Sequence, residues 1–218
     1  MSQIIQPADI EAESFAIITR LLGDYPLDEE NAPVILRAIH TTADLDYAKT
    51  LFFSPGAVAK GVKALAAGAH IVTDTHMAEA GINKRRLEQL GGRVHCFISD
   101  EDVAAQAKSR GITRAVVAME KAAALDAPCI FAIGNAPTAL LALCDLIRQG
   151  RVDPALVIGV PVGFVNVVES KERLRQEPVP QIVAMAARAA AIWPLPSATP
   201  CCIGWDDKDF CVIGRKTP

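Results

Sequence analysis

Residues 129–148 read CIFAIGNAPTALLALCDLIR. Cys129–Ile133 is an unbroken apolar run, short enough for a buried strand. Gly134-Asn135-Ala136-Pro137-Thr138 interrupts it, and Thr138–Arg148 resumes with a helical pattern. The stretch therefore reads as strand, turn and helix. Gly134 lets a ligand approach the backbone closely, and the start of the following helix favours anions. The turn lacks the Lys-Ser/Thr of a phosphate-binding loop and the glycine spacing of a dinucleotide fingerprint. A carboxylate ligand fits it as well as a phosphate. A simple helix cap by Asn135 or Thr138 is the plainer alternative.

The same alternation extends in both directions. Further strands are expected at 35–40, 70–73, 94–98, 156–160 and 181–184. Helices are expected at 57–67, 84–90, 100–110, 113–125 and 168–174. Strand-helix alternation at this spacing implies right-handed βαβ units and a parallel sheet covered on both faces. With no internal repeat and no linker, the expected architecture is α/β. It is a doubly wound, mainly parallel sheet in a single domain spanning residues 1–185.

Composition excludes several classes of function. The 218 residues carry 22 basic and 25 acidic side chains, a net charge of −3, which argues against a nucleic-acid surface. No apolar run reaches the roughly 18 residues of a membrane span. The opening MSQIIQPADIEAES has no basic region followed by an apolar one, so no signal peptide is read. The expected location is the cytoplasm. Cys96, Cys129 and Cys144 lie in apolar segments and read as buried free thiols. No spacing resembles a zinc site, and no metal or cofactor is expected.

In sheets of this kind a ligand sits beyond the carboxyl ends of the strands. Polar or Gly-rich motifs fall at those ends: His40-Thr41-Thr42, Thr73-Asp74, Gly134–Thr138 and Pro161-Val162-Gly163-Phe164. A neutral imidazole at His40 can take or give a proton near pH 7. Thr41, Thr42 or Asp44 could fix its tautomer. The alternative is a histidine that caps a strand end. His70, His76 and His95 read as structural. Asn83-Lys84-Arg85-Arg86 and Arg114 read either as surface helix starts or as a cationic rim for a polyanionic substrate. Ser170 and Lys171 lie early in a helix after the Gly163–Asn166 loop, where an ordinary solvated start is the alternative.

Read together, these segments resemble the precorrin-8X methylmutase family. The resemblance rests on Ile39-His40-Thr41-Thr42 with Asp44, on Asp74 with Met77 and Gly81-Ile82, and on Thr113-Arg114. It continues through Ile133-Gly134-Asn135-Ala136-Pro137-Thr138-Ala139-Leu140, Pro154–Gly159, Pro161–Val165 and Glu169-Ser170-Lys171-Glu172. It implies movement of a methyl group from C-11 to C-12 of a tetrapyrrole, precorrin-8X or cobalt-precorrin-8, by a 1,5-sigmatropic shift. The product is hydrogenobyrinic or cobyrinic acid, and no cofactor is required. The family's histidine falls on His40, with the role of protonating or hydrogen-bonding a ring nitrogen. Thr41, Thr42, Asn83, Lys84, Arg114, Asn135, Thr138, Ser170 and Lys171 are the implied substrate contacts. A homodimer with its site near the interface is also implied. Ala43 stands where the family usually has Gly, which puts the backbone after His40 in question. A tetrapyrrole carrier without turnover is the competing reading.

The resemblance stops at Met185. There the family continues with a Gly-Arg-Lys-Gly-Gly-Ser loop and an Ala-rich helix. This chain reads AARAAAIWPLPSATPCCIGWDDKDFCVIGRKTP instead, with Pro194, Pro196 and Pro200 breaking any helix. Codons for residues 186–206 can be chosen that restore the loop, the helix and a stop in the neighbouring frame, given one missing G. Residues 186–218 are therefore read as a frameshift product.

Overall fold

The structure, a computed structural model, describes residues 7–185. Its first half runs α1 (Pro7–Leu22), α2 (Ala32–Thr42), α3 (Tyr47–Thr50), β1 (Leu51–Phe53), α4 (Ala57–Ala66), β2 (His70–Thr73), α5 (His76–Gly81), α6 (Lys84–Gln89) and β3 (Val94–His95). Its second half runs α7 (Glu101–Arg110), α8 (Arg114–Ala122), β4 (Cys129–Ile133), α9 (Pro137–Arg148), β5 (Leu156–Gly159), α10 (Val167–Arg175) and β6 (Gln181–Ala184). The strands form one sheet in the order β1-β6-β5-β4-β2-β3. All pairs are parallel except β1 with β6, where Leu51 faces Ala184 and Phe53 faces Ile182.

Side chains alternate across the strands and sort onto two faces. Ile71, Ile130, Ala132, Leu156, Ile158 and Ile182 pack with residues of α1, α2, α4, α5 and α6. Val72, Phe131, Ile133, Val157 and Val183 pack with residues of α7, α8, α9 and α10. Both faces are covered, which is why the strands read as continuous apolar runs. The single α/β domain expected from the alternation is present.

One expectation is corrected. Residues 35–40 belong to helix α2, not to a strand. Pro33 lies in its first turn, and Val34, Ile35, Leu36, Ala38 and Ile39 bury one face in the core. A short apolar run with β-branched residues carries no period that separates strand from helix. The first element of the sheet is instead β1, three residues long and antiparallel. The strand expected at 94–98 narrows to Val94–His95. The segment 186–218 read as a frameshift product lies outside the described residues.

Candidate active site

Chain order reverses between β2 and β4. From β2 the chain adds β3 on one side, and from β4 it adds β5 and β6 on the other. The crevice beyond the carboxyl ends at such a switch is the default ligand position. Asp74 follows β2 there and is buried. Its carboxylate accepts backbone N–H bonds from Gly134 at 3.0 Å, Asn135 at 2.8 Å and Ala136 at 2.6 Å. Burial pushes the carboxyl above its ordinary range, while the three N–H groups pull it back. The anion cradle read in the 134–138 turn therefore exists, and the protein's own carboxylate fills it. The plainer reading is also revised. Ala136, not Asn135 or Thr138, is the residue before α9, and no side chain caps that end.

Around this bolt lies a polar rim. The Asn135 side chain is exposed. The Thr138 hydroxyl accepts from Thr113 at 3.2 Å, and Thr113 in turn caps α8 through Val116 N–H at 3.4 Å. That hydrogen bond sets the starts of α8 and α9 side by side. Arg114 is the first residue of α8, directly after Thr113. Arg114 is exposed and has no ion pair within the described residues. Lys84 differs, because its Nζ lies 2.8 Å from Glu79 Oε1. Lys84 and then His76 hold the Glu79 carboxyl below its usual range. Asn83 spends its side-chain oxygen on Arg86 N–H at 3.0 Å, capping α6.

His40 reaches the same edge from a helix. β1 runs opposite to β6, so its first residue, Leu51, lies beside the last residue of β6, Ala184. Thr50, the last residue of α3, accepts from Met185 N–H at 2.8 Å. The α2–α3 corner thus stands at the carboxyl edge, and His40 lies in the last turn of α2. Its ring is half-buried and stacks on Phe15 at 5.2 Å with 24° between the planes. Neither ring nitrogen has a hydrogen-bond partner among the described residues. Thr41 and Thr42 do not fix its tautomer, since their hydroxyls donate back to Arg37 and Ala38 carbonyls at 2.9 and 2.7 Å. Asp44 donates its N–H to Thr42 Oγ1 at 3.3 Å. The helix ends on Ala43 at φ 55 and ψ 23, the left-handed region that a glycine would enter without cost.

In the ESK segment two side chains are enclosed rather than solvated. Ser170 is fully buried and donates to the Val167 carbonyl at 2.8 Å. Lys171 is enclosed beside it, and burial pushes its ammonium down to about 8. The loop leading to α10 behaves oppositely. Phe164 is 104% exposed and Val165 76%.

Comparison with known proteins adds the chemistry. A family model described as precorrin-8X methylmutase matches residues 9–191. The chain belongs to the precorrin-8X methylmutase family. The cobalt-precorrin-8 methylmutase of Priestia megaterium is 44% identical over 187 residues, 86% of this chain and 83% of that protein. The cobalt-precorrin-8 methylmutase of Salmonella typhimurium is 42% identical over 200 residues, 88% and 92% of the two chains. The crystal structure of the precorrin-8X methylmutase from Thermus thermophilus superimposes with a TM-score of 0.79 at 41% identity, over 89% of this chain and 95% of that one.

Within this methylmutase framework, two pairings at the edge escaped sequence reading. Asp74 was visible at a strand end and in the family resemblance, but without its partners. That its partners lie 60 residues away in the 134–136 turn follows from β2 and β4 being neighbours. Phe15 gave no signal, because the partner of His40 comes from a helix, α1, that the strand-helix alternation does not reveal.

Proposed function

We propose that this chain catalyses the shift of a methyl group from C-11 to C-12 of precorrin-8X or cobalt-precorrin-8, with His40 as its acid-base group. The bond from the methyl carbon to C-11 breaks as its bond to C-12 forms, so no electrons leave the substrate and no redox partner is needed. The observation that carries this reading is the state of the His40 ring. It is held against Phe15, half-buried, with both nitrogens uncommitted among the described residues. Such a group can donate a proton or hydrogen bond to a ring nitrogen of a flat ligand. Membership of the methylmutase family makes that ligand a tetrapyrrole.

The substrate's carboxylates find their cation at Arg114, with Asn135 and Thr138 as further polar contacts. Thr41 and Thr42, which follow His40 at the end of α2, and Asn83 and Lys84 at the start of α6 are the other contacts. Ser170 and Lys171, expected as contacts from the resemblance, have fully buried side chains. The exposed Phe164, Val165, Val168 and Met77 side chains favour a homodimer that covers them. The described residues contain no helix long and apolar enough to cross a membrane, which is compatible with a cytoplasmic enzyme. The reading of residues 186–218 as a frameshift product is tested by resequencing the gene around the Met185 codon.

The test of the function uses substrate in large excess over protein. Isomerisation converts the visible spectrum of the whole pool, whereas a carrier changes only a stoichiometric fraction. A change limited to one equivalent would replace this proposal with the carrier.

A further inference from the structure

On the carboxyl edge of β2 and β3, chemistry gathers that the methyl shift does not use. His76 and Glu79 stand one helical turn apart on α5, so they share a face. Cys96 directly follows β3. A ring nitrogen of His76, a carboxylate oxygen of Glu79 and Cys96 Sγ all lie within 4.8 Å of one another.

We propose that His76, Glu79 and Cys96 together form a binding site for a borderline-soft divalent transition ion, Zn2+ or Co2+. The donor set selects this class. A thiolate with an imidazole suits Zn2+ and its neighbours, while Mg2+ and Ca2+ prefer oxygen alone. Three protein ligands leave a fourth tetrahedral position for water or another donor. Ser99 Oγ, 2.9 Å from His76 Nε2, holds the other ring nitrogen and fixes the plane of the imidazole.

The surroundings orient the ligands. His76 Nδ1 lies 2.8 Å from Glu79 Oε2, so the imidazole and the carboxylate already point at one another. Lys84 takes the other carboxylate oxygen, Oε1, at 2.8 Å and fixes the rotation of the Glu79 carboxylate. Cys96 is half-buried. The His76 side chain is 53% exposed, which leaves a path for an ion to enter. The residues are dispersed as 76, 79 and 96, which is why no spacing in the sequence announces them.

The experiment is a Co2+ titration of the full-length protein, stripped of metal and kept reduced with a phosphine. The readout is thiolate-to-cobalt charge-transfer absorption, followed by back-titration with a competing chelator. The expected result is a saturable band in the unmodified protein and its loss in Cys96→Ser. His76→Asn, an exposed replacement that leaves the core intact, weakens binding by at least about tenfold. Cys201, Cys202 and Cys211 are other thiols that could bind cobalt. A band that persists unchanged in both Cys96→Ser and His76→Asn belongs to those thiols and overturns the site. So does the absence of any band in the unmodified protein.

Discussion

The Oδ2 atom of Asp74 lies 2.6 Å from the backbone nitrogen of Ala136, across the switch between β2 and β4. The same carboxylate holds Gly134 and Asn135, so one side chain fixes the turn that starts α9. Asp74→Ala leaves three N–H donors unmatched in a buried place. Asp74→Asn turns an amide NH2 against donors. Each variant is expected to lose about 3 kcal/mol of stability. Urea unfolding measures it, and a loss below about 1 kcal/mol would show that the turn holds itself.

The core strands were legible in the sequence because both faces of the sheet are covered. Cys129–Ile133 and Gln181–Ala184 are buried at every position, and a proline stands directly before each, Pro128 and Pro180, which argues against a continuing helix. The segment 35–40 was misread because a buried helix face made of Val34, Ile35, Leu36, Ala38 and Ile39 looks the same in one dimension. The site was legible as a collection of carboxyl-end motifs. Its internal pairings were not. The Asp74 bolt and the Phe15–His40 stack each join segments whose proximity only the fold creates.

Ala43 closes α2 in the left-handed region, donating its N–H to the Ile39 carbonyl at 2.7 Å. An L residue with a Cβ resists that conformation by roughly 1–2 kcal/mol, part of which glycine returns as extra freedom when unfolded. Ala43→Gly is expected to stabilise the protein by roughly 0.5–1 kcal/mol. A melting curve checks it. A lower melting temperature would mean that the corner after His40 is not strained.

Lys171 sets a pH dependence. Burial lowers its folded-state pKa from 10.5 to about 8. Between those values the unfolded chain binds the proton and the folded chain does not. Stability contributed by this group therefore rises with pH across that window, by at most about 1.4 kcal/mol per pH unit. Lys171→Met removes the rise. Equal slopes in the two proteins, from unfolding at pH 8 to 10, would show that the ammonium stays charged when folded.

Arg114 and Lys84 separate by their partners. Arg114 has no ion pair within the described residues, while Lys84 is already bound to Glu79. Arg114→Ala is expected to raise KM roughly tenfold to a hundredfold with little change in kcat, since a carboxylate clamp serves ground and transition states alike. Lys84→Ala is expected to do less. Steady-state kinetics distinguishes them. A fall in kcat with unchanged KM in Arg114→Ala would contradict the clamp.

His40, held against Phe15, is proposed to drive methyl migration. Its part is read from the rate of spectral conversion of precorrin-8X or cobalt-precorrin-8 under saturating substrate, by the unmodified protein and by His40→Ala. Removing an acid-base group typically costs about 10²–10⁴-fold. The expected result is turnover by the unmodified protein, a loss of that order in the variant, and tetrapyrrole binding retained in both. Near-normal turnover by His40→Ala would contradict it.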